Sequence, residues 1–403
     1  MERTRELLAA LGDPHLRLRA FHVGGTNGKG SVSATLETLL RARGLRVGKY
    51  TSPHLVDFRE RIVVDGRPVS EAEVVAWVER WTPECERIGA TFFEATTAMA
   101  FDLLAHAGVE AAVIEVGLGG RLDSTNVVMP VVAGVVSIGL DHTEYLGDTL
   151  EQIADEKAGI FKPGVPAVIG EPDEALRARL AARAREAGAR EVRVVADVVR
   201  VGDVRIDADG TEFTAEWVDG SLRLRTGLAG RFQATNALTA LVMLDAAGAP
   251  FRPTLPEVRE TLPGVRLPGR FHRAGDFVFD VAHNPAGAAV LAETLRLVRP
   301  PAPVAALLGV LGDKDWRGIV DALGPVVSAF VMTDPPTAPT SRAWRAAEAA
   351  AHAASRGWRA ETVPDFDAAI ARARALGRTV LVTGSFHTVG DAMSRLQVSP
   401  LSG

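Results

Sequence analysis

Gly24-Gly25-Thr26-Asn27-Gly28-Lys29-Gly30-Ser31 lies between a short apolar run, Ala20-Phe21-His22-Val23, and a segment with Val32, Leu36, Leu39 and Leu40 on one helical face. A glycine-rich turn from strand to helix aims several backbone N–H groups and a helix N-terminus at one point. A lysine adds a mobile positive charge there, and a hydroxyl adds a ligand for Mg²⁺. That chemistry suits a nucleoside triphosphate. The usual phosphate loop ends Gly-Lys-Ser/Thr, whereas here Gly30 separates Lys29 from Ser31. The plain alternative is a tight glycine turn with an incidental lysine.

Further polar groups recur where apolar runs end. Glu115 closes Val113-Ile114-Glu115, just ahead of Gly117-Leu118-Gly119-Gly120. A carboxylate in that place must be paired, for instance with Arg121, or must ligate a cation. His142, in Asp141-His142-Thr143, follows another apolar run. A lone histidine is more often structural, and Mg²⁺ prefers oxygen ligands. Lys157 reads either as a surface lysine paired with Asp155 or Glu151, or as a buried amine. A buried amine can lose its proton and take up carbon dioxide as a carbamate, an anionic oxygen ligand. Ser52, in Thr51-Ser52-Pro53-His54-Leu55, offers another hydroxyl, and Phe58-Arg59-Glu60-Arg61 follows closely. Phe92-Phe93-Glu94 opens a helix with two aromatics, which serve a core or stack on a flat ring at a cleft edge. In the second half, Asn236 offers an amide, Arg270 sits in a Pro/Gly-rich stretch, and Asp280-Val281-Ala282-His283-Asn284 ends an apolar run. Ser385 follows the last such run. Leu311-Gly312-Asp313-Lys314-Asp315 reads equally as a ligand loop or a solvated turn.

These groups need a frame. Apolar runs at 21–25, 46–50, 111–116, 131–138 and 167–169 alternate with helical segments. Nearly continuous Val/Ile runs suit strands covered on both faces, as in a parallel sheet. Ser70 with Glu73 forms a capping box ahead of a helix over 74–87, and Thr149 with Gln152 another ahead of 153–158. The expected frame is α/β and doubly wound, an N-terminal P-loop-type domain on a mostly parallel sheet. Short segments at 199–201, 204–206, 212–217 and 222–225, with turns at Asp209-Gly210 and Asp219-Gly220, predict a small appended antiparallel sheet. A helix is expected over 235–247. Proline and glycine crowd residues 262–270 and mark a domain boundary. Beyond it, strands at 277–281, 304–309, 329–333 and 379–383 alternate with helices at 286–298, 341–356 and 366–375. That predicts a smaller C-terminal Rossmann-like α/β domain, with domains spanning 1–267 and 271–403. Ligands of such sheets bind beyond the carboxyl ends of the strands, and two facing domains make a cleft.

The chain has 403 residues, room for two or three domains, and a net charge of −5. That balance speaks against a nucleic-acid partner, and the arginines of 177–190 alternate with Glu and Ala as a solvated helix face does. Cys85 is the only cysteine, so no intramolecular disulfide is possible. Residues 1–11 are charged and helical, unlike a signal peptide, and no apolar run has the length of a membrane span. A cytoplasmic location is the expectation.

The motifs together resemble the folylpolyglutamate synthase/dihydrofolate synthase family, relatives of the Mur peptide ligases, over nearly the whole chain. The resemblance rests on Gly25-Thr26-Asn27-Gly28-Lys29-Gly30-Ser31, extra glycine included, then Thr51-Ser52-Pro53-His54-Leu55, Glu115 to Asp123, Asp141-His142-Thr143 and Glu156-Lys157-Ala158-Gly159-Ile160. Asp280 with His283-Asn284-Pro285, and Gly384-Ser385-Phe386-His387-Thr388-Val389, extend it to the second domain. It implies that Asn27, Gly28, Lys29, Gly30, Ser31, Asn236, Arg270 and Asp280 bind ATP. Ser52, Glu115, His142 and a carbamylated Lys157 hold one or two Mg²⁺ ions, and Lys29, His142 and Lys157 serve catalysis. Thr91, Phe92, Phe93, Glu94, Leu122, Asp123 and Ser124 meet the pterin; Ser124 stands where members often carry alanine. His283 and Ser385 lie near incoming L-glutamate. The implied reaction is ATP-dependent amide formation through an acyl phosphate, on dihydropteroate, reduced folates or both, by a monomer. A Mur-type peptide ligase is the nearest rival, though its further N-terminal domain has no room in the residues ahead of the loop. From another class, a P-loop phosphotransferase or nucleotide-switch module remains.

Overall fold

The computed structural model describes residues 1–218 and 220–401. The first apolar runs pair into one eight-stranded sheet. Its strands are β1 (Ala20–Gly24), β2 (Val47–Tyr50), β3 (Ile62–Val64), β4 (Arg67–Pro68), β5 (Ala111–Glu115), β6 (Val132–Val135), β7 (Ala167–Ile169) and β8 (Val192–Val194). The order is β4-β3-β2-β5-β1-β6-β7-β8. From β2 to β8 every pairing is parallel, and β3 and β4 add an antiparallel edge.

Because side chains alternate along a strand, β1 serves two layers. Phe21 and Val23 pack with Val32, Leu36 and Leu40 of helix Lys29–Ala42 and with Leu238 and Met243 of helix Arg231–Ala247. Ala20 packs on the other face with Phe101 and Leu104 of helix Phe92–His106. The capping boxes at Ser70/Glu73 and Thr149/Gln152 are both formed, opening helices Glu71–Ile88 and Leu150–Ala158.

β9 (Arg200–Asp207), β10 (Gly210–Trp217) and β11 (Gly220–Thr226) form a separate antiparallel sheet in the order β11-β10-β9. Phe213, Ala215 and Leu224 attach it to the core shared with helix Arg231–Ala247. The two short segments expected at 199–201 and 204–206 are one strand. Gly202-Asp203 is a register shift opposite Glu212/Thr214, with Asp203 at φ 46°, not a turn. Of the Asp219-Gly220 turn, Asp219 lies outside the described residues.

The second half builds a six-stranded sheet, β12 (His272–Ala274), β13 (Phe277–Phe279), β14 (Val304–Leu308), β15 (Ala329–Met332), β16 (Ala360–Thr362) and β17 (Thr379–Thr383), ordered β12-β13-β17-β14-β15-β16. Only β12 is antiparallel to its neighbour. The helix expected over 341–356 is Ala346–Ser355. Its start is late because Thr340–Arg342 turns as a 3₁₀ segment and Trp344 buries its indole, donating to the Thr333 carbonyl at 3.0 Å. Helix Trp316–Leu323, capped by Asp315, was not expected.

Candidate active site

Strand ends of the eight-stranded and six-stranded sheets face one cavity of about 860 Å³. β1 lies between β5 and β6 near the middle of its sheet, so the loop leaving it has neighbours on both sides. That loop is pinned from β6. Thr26 N donates to the Ser137 carbonyl at 2.6 Å, and the Ser137 hydroxyl donates to the Asn27 carbonyl at 2.9 Å. These bonds draw residues 136–138 out of the strand, which ends at Val135, short of the expected 138.

Gly28 heads helix Lys29–Ala42 at φ 88°. A Cβ there would stand 2.7 Å from Asn236 Oδ1 and 2.8 Å from Val136 Cγ1, so only glycine fits. At Gly30 a Cβ would meet Leu267 at 3.4 Å and Glu115 Oε2 at 3.9 Å. The helix start thus lies close against Glu115, at a distance that leaves room for a Cβ at Gly30. Lys29 Nζ rests on the Gly25 and Thr26 carbonyls, 3.1 Å from each.

Glu115 ends β5 buried, at 6% exposure, and no hydrogen bond or ion pair holds its carboxylate among the described residues. Arg121, its possible partner, is bonded to Glu156 at 2.7 Å. Burial pushes the Glu115 carboxyl up to about 7, although Lys29, Arg270 and Lys49 oppose the shift. Lys157 is buried, not a surface residue; Asp155 is engaged by Arg179 and Arg183. Its Nζ donates to the Gly25 carbonyl at 3.0 Å, and burial, then the charge of Lys29, brings its amine down to about 7. His142 takes φ 51° after β6, and burial holds its imidazole near 4 despite Asp141.

Second-domain groups close the other side. Asp280 accepts from the amides of Phe271 and Ala282 at 2.9 and 3.0 Å. Arg270 donates to its neighbour's carbonyl at Gly269 and lies 5.5 Å from the Phe386 ring centroid. Ser385 caps helix Phe386–Arg395, accepting from Thr388 N at 3.0 Å. His283 Nδ1 lies 2.9 Å from the Val281 carbonyl, and its Nε2 reaches Asp141 at 3.3 Å. Lys314 reaches the same carboxylate at 2.5 Å with its side chain nearly buried, while Gly312, Asp313 and Asp315 of the same turn are exposed. In the sequence, the one signal for Lys314 is its position after β14, at the same edge as the other groups.

The cavity thus gathers Asn27 to Ser31, Ser52, Glu115, His142, Lys157, Asn236, Arg270, Asp280, His283 and Ser385, with Phe92 and Phe93 on one wall. The remaining expected pterin contacts stand apart from its lining. Thr91 and Glu94 form the capping box of helix Phe92–His106, and Glu94 also pairs with Arg3 at 3.1 Å. Leu122 is exposed. Buried Asp123 accepts from Leu118 N and from the amide and hydroxyl of Thr125, while Ser124 is buried beside it.

The donor set fits Mg²⁺. Glu115 offers an unpaired buried carboxylate, and the Ser31 and Ser52 hydroxyls make no hydrogen bond among the described residues, so all are available beside the loop. No group of 3 or more His, Cys, Asp or Glu side chains able to hold a metal exists among the described residues. Mg²⁺ takes few protein ligands and completes its shell with phosphate oxygens and water.

A glycine-rich strand-to-helix loop, an unpaired buried carboxylate and a second α/β domain across the cleft are the arrangement that an ATP-dependent ligase needs. Comparison with known proteins agrees. The Mur ligase middle domain matches residues 23–244, and the Mur ligase glutamate ligase domain matches residues 269–386. The chain is 36% identical to the dihydrofolate synthase/folylpolyglutamate synthase of Escherichia coli K12, covering 98% of this chain and 90% of the relative. It superposes on Mycobacterium tuberculosis folylpolyglutamate synthase complexed with ADP at a TM-score of 0.91, with 35% identity, over 99% of this chain and 95% of that one. A bifunctional folylpolyglutamate synthase/dihydrofolate synthase with Mn, AMPPNP and L-glutamate bound matches at a TM-score of 0.84, with 35% identity, over 98% and 94%. The chain belongs to the folylpolyglutamate synthase/dihydrofolate synthase family of Mur ligases, and it is an ATP-dependent ligase.

Proposed function

We propose that this ligase joins L-glutamate to dihydropteroate and to reduced folates in folate biosynthesis. The single observation that carries the reading is that the loop, unpaired Glu115, buried Lys157 and the second domain's Arg270, His283 and Ser385 line one cavity.

Backbone N–H groups of residues 27–31 and Lys29 hold the ATP phosphates, with Asn236, Arg270 and Asp280 toward the nucleotide. Phe92 and Phe93 receive the flat ring, the remaining residues of 91–94 and 122–124 supporting that wall. The acceptor's carboxylate oxygen attacks the γ-phosphorus, ADP departs, and an acyl phosphate forms. The glutamate amine, placed by His283 and Ser385, then attacks the carbonyl carbon, and phosphate leaves with the bridging oxygen. Such transfer needs alignment and charge neutralisation more than covalent participation by the protein. Ser52, Glu115 and neutral His142 would hold Mg²⁺, which supplies charge neutralisation at the transferring phosphate. Lys157, neutral in part near pH 7, would take up carbon dioxide and release one proton, becoming a carbamate for a second ion. A cleft closed by the second domain keeps water from the acyl phosphate.

We further propose domains 1–267 and 271–403, hinged where Arg270 enters the cleft, and a monomer in the cytoplasm. Supporting the location, no helix among the described residues is long and apolar enough to cross a membrane.

Product assays with dihydropteroate and tetrahydrofolate as separate acceptors test the reading. Glutamylated product is expected from each. Failure with one narrows the substrate, and failure with both overturns it.

A further inference from the structure

Most cations at the cavity have a partner. Lys29 and Lys157 rest on the Gly25 carbonyl, Lys314 on Asp141, Arg342 on Asp313 and Arg270 on the Gly269 carbonyl. Arg61 does not fit this pattern. It lines the cavity at 7% exposure, yet among the described residues it bonds to no carboxylate and no carbonyl. Its one hydrogen bond runs from Nε to His54 Nδ1, at 2.8 Å, which leaves both terminal nitrogens free. The adjoining Glu60 spends its oxygens on the amides of Leu55, Val56 and Asp57. A nearly buried guanidinium without an acidic partner is costly, so its place is explained by an anion that arrives with the ligand.

The position of Arg61 narrows that anion. Its carbonyl accepts from Thr51 N at 3.0 Å, which ties it beside Ser52. The guanidinium lies 5.6 Å from the Phe92 centroid and 5.9 Å from that of Phe58, on the aromatic wall. A fork of N–H donors framed by phenyl rings recognises a carboxylate carried next to an aromatic group. The reacting carboxylate must turn its oxygen to the phosphate, and a guanidinium bonded to it would blunt the attack, so the anion left for Arg61 is a carboxylate that does not react.

We propose that Arg61 binds the non-reacting α-carboxylate of an acceptor that already carries glutamate, and so sets the preference between glutamylated and unglutamylated acceptors. This rests on the folate reading above. An acceptor without glutamate has only its reacting carboxylate and offers Arg61 nothing.

The test measures equilibrium affinities of the full chain with MgADP for tetrahydropteroate and tetrahydrofolate, the same ring without and with glutamate. In Arg61→Met the Kd for tetrahydrofolate should rise about 10- to 100-fold, the scale of a lost charged hydrogen bond, while that for tetrahydropteroate moves by no more than about 3-fold. Arg61→Lys, which keeps the charge and loses the fork, should fall between. Equal weakening for both ligands, or no change for either, overturns the assignment. If Arg61→Met fails to bind MgADP, Arg61→Lys decides by the same criterion. Wild-type protein that binds neither ligand defeats the folate reading itself; wild-type protein that binds both, with a ratio the variants leave unchanged, defeats only the role of Arg61.

Discussion

Glu115 and Lys157 are opposite in charge type, yet burial drives both toward neutrality at one loop. That places each where a phosphate-bound cation, or carbon dioxide, can reverse the preference. Lys157→Ala should lower turnover by roughly 100-fold or more, with partial rescue by a small added carboxylic acid. Carbon-13 bicarbonate should give a carbamate resonance in the wild type that the variant lacks; its absence from active wild-type enzyme would remove the carbamate from the account. His22 makes a different case. It is fully buried in β1, and its Nε2 meets Thr125 Oγ1 at 2.9 Å. Burial and Lys162 lower its pKa from 6.5 to about 3, so the folded state binds fewer protons than the unfolded between those values. Its contribution is complete above pH 6.5 and is lost as pH falls toward 3, by at most about 4–5 kcal/mol. Ring NMR should show His22 neutral down to the acid transition, and titration near 6.5 would contradict this. In the sequence Glu115 was open between a pair with Arg121 and a metal. The structure removes the first alternative by giving Arg121 to Glu156, which the sequence could not show because partner choice depends on side-chain paths across chain-distant elements.

At the scale of elements, the glycine-rich loop was legible because Gly25 and Gly28 are required by the backbone. Gly28 carries both a positive φ and a contact that excludes a Cβ. Gly28→Ala should weaken MgADP binding by about tenfold or more while far-ultraviolet dichroism stays native, since strain of about 1–3 kcal/mol falls on the loop itself. Unchanged ADP affinity would show that the loop tolerates a side chain. Strand existence was equally legible from Val/Ile runs, and the capping boxes located two helix starts well. Strand ends were not. β6 stops early because Ser137 bonds the loop of β1, a contact 110 residues apart in the chain. β9 crosses Gly202-Asp203 because a bulge uses the same residues as a turn, and pairing with β10 decides between them. β12 and β16, each three residues long, exist through pairing and carry too little pattern to be read alone.

At the scale of the molecule, Asp141 joins the halves. It receives Lys314 at 2.5 Å and His283 at 3.3 Å from the second sheet's loops while sitting next to His142. Lys314→Met removes one partner of a nearly buried pair and should lower kcat/KM by about tenfold or more. It should also enlarge the scattering radius of the MgADP complex; unchanged scattering and turnover would mean that closure does not use this clasp. The second large sheet was legible from the renewed strand–helix alternation after residue 270, whereas the clasp was not, since it joins residues 173 apart. All three scales converge on one chemical claim, that ATP activates the acceptor's carboxylate for attack by glutamate. The direct test labels that carboxylate with heavy oxygen and analyses the phosphate released when ATP, acceptor and L-glutamate are all present. Transfer of one labelled oxygen into phosphate, with no phosphate released when glutamate is withheld, is the predicted result. Unlabelled phosphate, or release indifferent to glutamate, would contradict the account.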